Sequence, residues 1–255
     1  MNYQIDLSSK VIAGASVMAG NDEDGLHRII EDTKEYYRKR APQYADWSRR
    51  TGRYEGGFNP GESWFAEAKI LTDALERCRL EGDVLEIACG TGVMTEILSR
   101  SAGRVTALDS SQEMIERSKE RLGGNPKVNF TVADFYKWKP DRWYDAVTFA
   151  FWISHVPTSK LDDFVSKVSR CLKPGGRVFF VDQLEEARKN ETFVGSEDEV
   201  VMRTLEDGRE FRIFKHFYSA EEIEECFRRK AIKLDIARTP THFFYATGKK
   251  VTGWD

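Results

Sequence analysis

The stretch that most constrains this chain is a short apolar run that ends beside an acid and a glycine-containing bend. Val84, Leu85 and Ile87 form the run, and continuous apolar runs of this length are typical of strands buried on both faces of a parallel sheet. Glu86 interrupts the run near its carboxyl end, where open α/β sheets bind ligands. A carboxylate on a buried strand needs hydrogen-bond donors. The stretch therefore predicts a buried strand that leads into a ligand-binding bend.

The bend itself contains Gly90 and Gly92, which let the backbone approach a ligand closely. The apolar residues that follow have helical spacing, so the bend leads into the amino terminus of a helix. The dinucleotide fingerprint G-x-G-x-x-G needs a third glycine, and Thr95 occupies that position. An NAD-dependent oxidoreductase is therefore disfavoured, although it would share the strand, the bend and the acid.

Residues 86–92 read E-I-A-C-G-T-G, which resembles motif I of the class I S-adenosylmethionine-dependent methyltransferases. Ala88 stands where glycine is commoner in that family, and alanine permits the turn unless its φ must be positive. The resemblance implies a Rossmann-like, doubly wound sheet of seven mostly parallel strands. It also implies S-adenosylmethionine as cofactor and methyl transfer to a small-molecule acceptor without a metal.

A second acid, Asp109, ends the next predicted strand, 105–108, seventeen residues after Gly92. An acid at this position is placed to accept hydrogen bonds from both ribose hydroxyls of an adenosine. The alternative is that Asp109 only caps the following helix. Ser110 and Glu113 predict a capping box at the start of that helix.

The resemblance places further residues around the cofactor. Asp134 follows the third predicted strand, 128–132, where the family has an acid that meets the adenine amino group, and Phe135 would pack on the ring. The predicted cofactor-binding residues are Tyr37, Glu86, Ala88, Cys89, Gly90, Gly92, Asp109, Ser110, Met114, Asp134, Phe135 and Phe149.

Residues 150–157, A-F-W-I-S-H-V-P, follow the fourth predicted strand, and in the family this segment faces the transferred methyl group. The segment has neither an N-P-P-Y-like sequence nor a carboxylate pair for a divalent metal. His155 could act as a general base, as a hydrogen-bond donor, or as a structural residue before Pro157. The predicted substrate pocket comprises Tyr44, Trp64, Phe151, Trp152 and His155.

The predicted domain organisation has three parts: a flexible arm at residues 1–25, a helical lid at 26–82, and a cofactor-binding core at 83–255. The lid includes Tyr37 and Tyr44 in a Y-x-x-x-A-x-x-Y segment, as in small-molecule members of the family, and a glycine-rich connection, 52–61. The alternative for these tyrosines is packing on the core.

A hairpin insertion, 199–217, is predicted in the core from two strand-like segments around an Asp-Gly turn. It either holds a carboxylate or phosphate of the substrate or is a solvated edge that resists aggregation. Its basic residues are Arg203, Arg209, Arg212, Lys215 and His216.

The composition excludes several classes of protein. A net charge of -3 and a pI near 5.9 give no bulk attraction to nucleic acid or to anionic membranes. The four cysteines lie far apart, with no C-x-x-C motif, which indicates a reduced, cytoplasmic protein. The apolar run 11–20 is too short to span a bilayer. A non-catalytic partner protein and a nucleic-acid or protein methyltransferase remain alternatives. The acceptor and the oligomeric state stay open.

Overall fold

The computed structural model describes residues 23–44, 61–194 and 199–251. Most of the predicted amino-terminal arm and of the glycine-rich connection lies outside these ranges. The helices are α1 (Glu23–Arg40), α2 (Gly61–Cys78), α3 (Val93–Ser101), α4 (Gln112–Leu122), α5 (Thr158–Cys171) and α6 (Ala220–Arg228). The strands are β1 (Asp83–Ile87), β2 (Arg104–Asp109), β3 (Val128–Val132), β4 (Tyr144–Ala150), β5 (Leu172–Gln183), β6 (Val200–Thr204), β7 (Glu210–Phe214), β8 (Ile232–Arg238) and β9 (Phe243–Lys250).

Seven of these strands form one sheet in the order β3-β2-β1-β4-β5-β9-β8. The pairs from β3 through β5 are parallel, and β9 is antiparallel to both of its neighbours. The predicted seven-stranded, mostly parallel sheet is confirmed. The strand order reverses between β1 and β4, and this switch point is where open α/β sheets form a ligand crevice at their carboxyl ends.

Both faces of the sheet are buried, because successive residues of each central strand join different apolar clusters. Leu85 and Ile87 of β1 belong to one cluster, together with residues of α5 and α6. Val84 belongs to the other, which includes residues of α2, α3 and α4. This arrangement explains why Val84, Leu85 and Ile87 of β1 are all apolar, since neither face of the strand meets water.

The predicted hairpin forms a separate two-stranded sheet from β6 and β7. It packs against α1 through an apolar cluster that contains Tyr36, Val201, Leu205 and Ile213. The Thr33 hydroxyl of α1 also accepts a hydrogen bond from the backbone N–H of Phe214 at 3.1 Å. The helix and the hairpin therefore make one structural unit beside the carboxyl edge of the large sheet.

Two details of the helices differ from the prediction. The predicted capping box at Ser110 and Glu113 is wrong, because Ser111 is the N-cap of α4 and accepts from Met114 N. Ser111 N donates to Oδ1 of Asp109, so Asp109 fixes the residue that caps the helix. Residues 23–25, which were assigned to the arm, belong to α1. No helix in the described ranges combines the length and apolar character that crossing a bilayer requires.

Candidate active site

A cleft lies between α1 and the carboxyl ends of β1, β2, β3 and β4. The predicted cofactor residues on its wall form the cofactor side: Ala88, Gly90, Asp109, Ser110, Met114, Asp134 and Phe135. The rest of the wall, the acceptor side, contains the predicted substrate residues Tyr44, Phe151, Trp152 and His155. Tyr37, which the sequence places among the cofactor residues, lies beside His155 and is counted with the acceptor side. The fold thus brings together residues from α1, from the segment after it and from four separate strand ends.

The glycine bend holds three residues in the left-handed region. Ala88 has φ +54, Gly90 has φ +56 and Gly92 has φ +80. A Cβ added to Gly92 would lie 2.2 Å from the Ser118 hydroxyl, so the helix α4 excludes any side chain there. A Cβ added to Gly90 would instead point toward the Tyr44 ring, 3.9 Å away. Gly90 therefore leaves backbone exposed to the cleft, where a ligand can approach the main chain closely.

Asp109 connects β2 to this bend. Its Oδ2 accepts from Gly90 N at 2.9 Å and its Oδ1 accepts from Ser111 N at 2.9 Å. Burial raises the pKa of Asp109 to about 6, against these backbone hydrogen bonds, which lower it. Asp109 is consequently more than a helix cap, because one of its oxygens fixes the bend. Its remaining lone pairs are available to hydroxyl donors in the cleft.

Glu86 lies behind the bend and not on the cleft wall. It is buried, and its Oε2 accepts from the Thr95 hydroxyl at 2.6 Å. Burial raises the pKa of Glu86 to about 8, and the charge of Asp109 acts in the same direction. Thr95, read from the sequence as a missing glycine, is thus the donor that this buried carboxyl requires.

Three other predicted cofactor residues also lie behind the wall, where they support it. Cys89 and Phe149 are buried, and Phe149 stacks on Phe180 with ring centroids 4.7 Å apart. Gly92 packs on α4 as described. The predicted substrate residue Trp64 lies away from the cleft, because its ring packs edge-on against Phe243 in the core, at 4.7 Å.

Asp134 contacts both the core and the helix α1. Its Oδ1 accepts from Tyr136 N at 2.9 Å, and its Oδ2 pairs with Lys34 of α1 at 2.9 Å. Arg38 makes a second tie from α1 to the core, with 3.0 Å between its Nη1 and Oε1 of Glu113. These two ion pairs hold the helix over the cofactor side.

On the acceptor side, Tyr37 and His155 form a hydrogen-bonded pair. His155 Nδ1 lies 2.7 Å from the carbonyl oxygen of Phe214, and His155 Nε2 lies 2.8 Å from the Tyr37 hydroxyl. A carbonyl only accepts, so Nδ1 carries the proton and donates it. Nε2 of the neutral ring then accepts from Tyr37. The basic lone pair of His155 is therefore already occupied.

The environment keeps His155 neutral. Its pKa is lowered well below its ordinary value, first by burial and then by the positive charges of Lys215, Arg203 and Arg40. The hydrogen bond to Phe214 opposes this shift. The chemistry that suits this ring is orientation of the Tyr37 hydroxyl.

The three cations were not among the predicted site residues. The basic composition of the hairpin pointed to Arg203 and Lys215, whereas nothing in the sequence distinguished Arg40 from its neighbours in α1. Arg209, which shares that composition, pairs with Asp207 at the exposed hairpin turn. Position in the folded hairpin, and not charge alone, decides which basic residues approach the cleft.

The fold defines a Rossmann-like protein with a cleft at the switch point of its sheet. A family model described as "Methyltransferase domain" matches residues 84–176. The structure of DhpI in complex with SAH is similar to this chain, with a TM-score of 0.72 and 36% sequence identity. The match covers 88% of this chain and 98% of the DhpI chain.

Curated relatives match over a shorter range. The demethylmenaquinone methyltransferase of Clavibacter sepedonicus is 38% identical over 98 residues, which are 37% of this chain and 38% of that protein. The malonyl-[acyl-carrier protein] O-methyltransferase 1 of Ilyobacter polytropus is 31% identical over 108 residues, 40% of each chain. The matched stretch spans about two fifths of the length of these relatives. The chain belongs to the class I S-adenosylmethionine-dependent methyltransferases.

Proposed function

We propose that this protein transfers the methyl group of S-adenosylmethionine to a small-molecule acceptor. The observation that carries the proposal is the carboxylate of Asp109, which lies on the cleft wall and holds the Gly90 backbone at 2.9 Å. An acid tied to a glycine bend at a switch point suits a nucleoside with two adjacent hydroxyls. The absence of a side chain at Gly90 leaves the room that such a ligand needs.

The residues present fit this cofactor. Asp109 would accept from the ribose hydroxyls, while Asp134 and Phe135 would meet the adenine. Lys34 would keep α1 closed over that end through its ion pair with Asp134. When bound, S-adenosylmethionine supplies an electrophilic methyl group on a positively charged sulfur, so the activating chemistry belongs to the cofactor.

The chain's own residues then have two tasks, which are alignment and exclusion of water. Phe151, Trp152 and Tyr44 present aromatic walls on the acceptor side. Tyr37 is fixed by His155, and His155 is fixed by the Phe214 carbonyl. The Tyr37 oxygen thus faces the cleft in one orientation, with lone pairs left for the electropositive methyl group or for an acceptor hydroxyl.

Calorimetry tests the cofactor assignment directly. We expect S-adenosylmethionine and S-adenosylhomocysteine to bind with micromolar dissociation constants, about 8 kcal/mol of binding free energy, and NAD to give no heat under the same conditions. Incubation with isotopically methyl-labelled cofactor and a panel of small acceptors would then detect transfer. Binding of NAD in preference to both adenosyl compounds would contradict the proposal. Cofactor binding without transfer to any small acceptor would favour a non-catalytic partner protein.

A further inference from the structure

Two basic side chains of the hairpin approach the Tyr37–His155 pair from behind. Lys215 is 4% exposed, and its Nζ donates to the Ser154 hydroxyl at 2.8 Å. Arg203 has a side chain that is 28% exposed. Both charges lower the pKa of His155, and the charge of Arg203 also lowers the pKa of Tyr37. Cations in such shielded positions interact with a nearby charge far more strongly than surface cations do.

A third cation comes from the lid helix. Arg40 is 8% exposed, and its guanidinium lies 5.2 Å from the ring centre of Tyr44 and 6.0 Å from that of Tyr37. The charge of Arg40 also lowers the pKa of His155 and of Tyr37. Basic side chains from α1, from β6 and from the end of β7 therefore converge on one pair of aromatic residues.

Among the described residues, two carboxylates face these cations. Glu191 pairs with Arg203 at 2.6 Å, and Asp182 lies 3.9 Å from Lys215. Asp182 also accepts a hydrogen bond from Ser154 N at 3.0 Å, which fixes this carboxylate beside the backbone of residues 150–157. At His155 the charges of Lys215, Arg203 and Arg40 lower the pKa in the same direction as burial, which is the larger cause. Three cations thus face two carboxylates around this residue. The acceptor side is thus basic, in contrast to the acidic cofactor side.

This arrangement makes His155 a poor proton acceptor. Its Nε2 lone pair is used by Tyr37, and an imidazolium would lie among like charges. A neutral acceptor such as an alcohol must lose a proton during methylation, whereas an acid that is already ionised at neutral pH needs no base. An anion would also be attracted by the same field that disfavours the imidazolium.

Resting on the proposed function, we propose that the acceptor is a small oxyanion, either a carboxylate or a phosphate, which is methylated on oxygen without general-base catalysis. The anionic oxygen uses a lone pair to form the new O–CH₃ bond while the S–CH₃ bond breaks. The bonding pair stays on sulfur, which becomes a neutral thioether, and no proton is released. Arg203 and Lys215 are positioning residues for the anion's charge.

The test compares acids with neutral partners of similar shape. Benzoate and malonate are paired with benzamide and malonamide, and phenyl phosphate is paired with phenol. Two readouts are used: calorimetric binding to the protein saturated with S-adenosylhomocysteine, and the initial rate of S-adenosylhomocysteine release from the methyl donor. We expect acids to bind and react about tenfold better than their partners or more, and the carboxylate and phosphate arms identify which acid is preferred.

Variants of one hairpin supply the matched control. Arg203→Gln should raise the KM or dissociation constant for the acids about tenfold, and Arg203→Lys should restore most of the loss because it keeps the charge. Arg209→Gln removes an equal charge from the exposed turn and should change these constants less than about twofold. S-adenosylhomocysteine affinity and thermal unfolding of each variant show whether the fold is intact.

Equal or better turnover of the neutral partners would overturn the oxyanion proposal, as would equal losses in Arg203→Gln and Arg209→Gln. Failure of every acid to bind or react with cofactor-loaded protein would also overturn it. In each case, intact S-adenosylhomocysteine binding leaves the proposed methyltransferase function standing. Absence of cofactor binding would instead remove the proposed function.

Discussion

The two sides of the cleft are built in different ways. On the cofactor side, Asp109 is held by backbone N–H groups within 19 residues of it, at the ends of adjacent strands. On the acceptor side, Tyr37 binds a histidine 118 residues away, and that histidine binds a carbonyl 59 residues further on. The support of Asp109 is therefore local in sequence and comes from the backbone. The Tyr37–His155 pair, like the ion pair of Lys34 with Asp134, depends instead on packing between distant elements.

Because of this difference, the acceptor side of such a fold can change while the cofactor side stays the same. The carboxyl ends of parallel strands are fixed by the sheet, so acids placed there keep their geometry when α1 or the hairpin changes. The acceptor side can be altered by substitutions in these two elements without disturbing β1 or β2. Charge follows the same division, since Asp109 and Asp134 line the cofactor side and cations surround the acceptor side.

The largest effect that we expect separates the two sides by their influence on cofactor affinity. Asp109→Ala should weaken S-adenosylhomocysteine binding about 100-fold, because it removes the acceptor for the ribose and frees Gly90 N. Tyr37→Phe should change that affinity less than about threefold, since one neutral hydrogen bond is lost on the other wall. Calorimetry measures both. Asp235→Ala, at an exposed position of β8, controls for the loss of a carboxylate. Equal losses of S-adenosylhomocysteine affinity in Asp109→Ala and Tyr37→Phe would contradict the division between a cofactor side and an acceptor side.

The second prediction makes one substitution on each side. Thr95→Val leaves buried Glu86 without its donor, and Thr33→Val leaves the Phe214 N–H without its acceptor. Each should lower the free energy of unfolding by about 2 kcal/mol, the usual cost of an unsatisfied buried group.

Cofactor affinity then distinguishes the two threonine variants. Thr95→Val should also weaken S-adenosylhomocysteine binding, because Glu86 supports the bend, whereas Thr33→Val should not. Denaturant unfolding and calorimetry provide the measurements. The division fails if Thr33→Val is the variant with the weaker binding.

The third prediction concerns pH. Burial raises the pKa of Asp109 to about 6, so the free protein carries a neutral Asp109 below that pH. Hydroxyl donors of the ribose favour the ionised form, so binding at low pH must release a proton. S-adenosylhomocysteine affinity should therefore fall about tenfold per pH unit below pH 6 and be constant above it. Asp109→Asn should show no such slope, and an unchanged wild-type affinity at pH 5 would refute the assignment.

This contrast also explains what the sequence could predict. The sequence predicts the strands, the glycine bend and Asp109, because each signal lies within a few residues of a strand end. At a strand end, position along the chain fixes position in space. Trp64 was misplaced because helical periodicity identifies an inward face without saying whether that face meets core or cleft. The sequence could not predict the cluster of Arg40, Arg203 and Lys215, because these residues come together only when α1 packs against the hairpin.

The smallest expected effect tests the bend itself, at the one position where motif I departs from its family. Ala88 has φ +54, the region that disfavours a Cβ. Ala88→Gly should relieve that strain, partly offset by the backbone entropy that glycine loses on folding, for a net gain of at most about 1 kcal/mol. The melting temperature should then rise by about 2 °C.

Ala231 has φ +59 and lies between α6 and β8, away from the cleft, so Ala231→Gly is a matched control. Both variants should gain similar thermal stability, and cofactor affinity should change less than about twofold in each. A loss of cofactor affinity confined to Ala88→Gly would show that the methyl group of Ala88 contacts the ligand. In that case the departure from the family's glycine at this position has a function in binding.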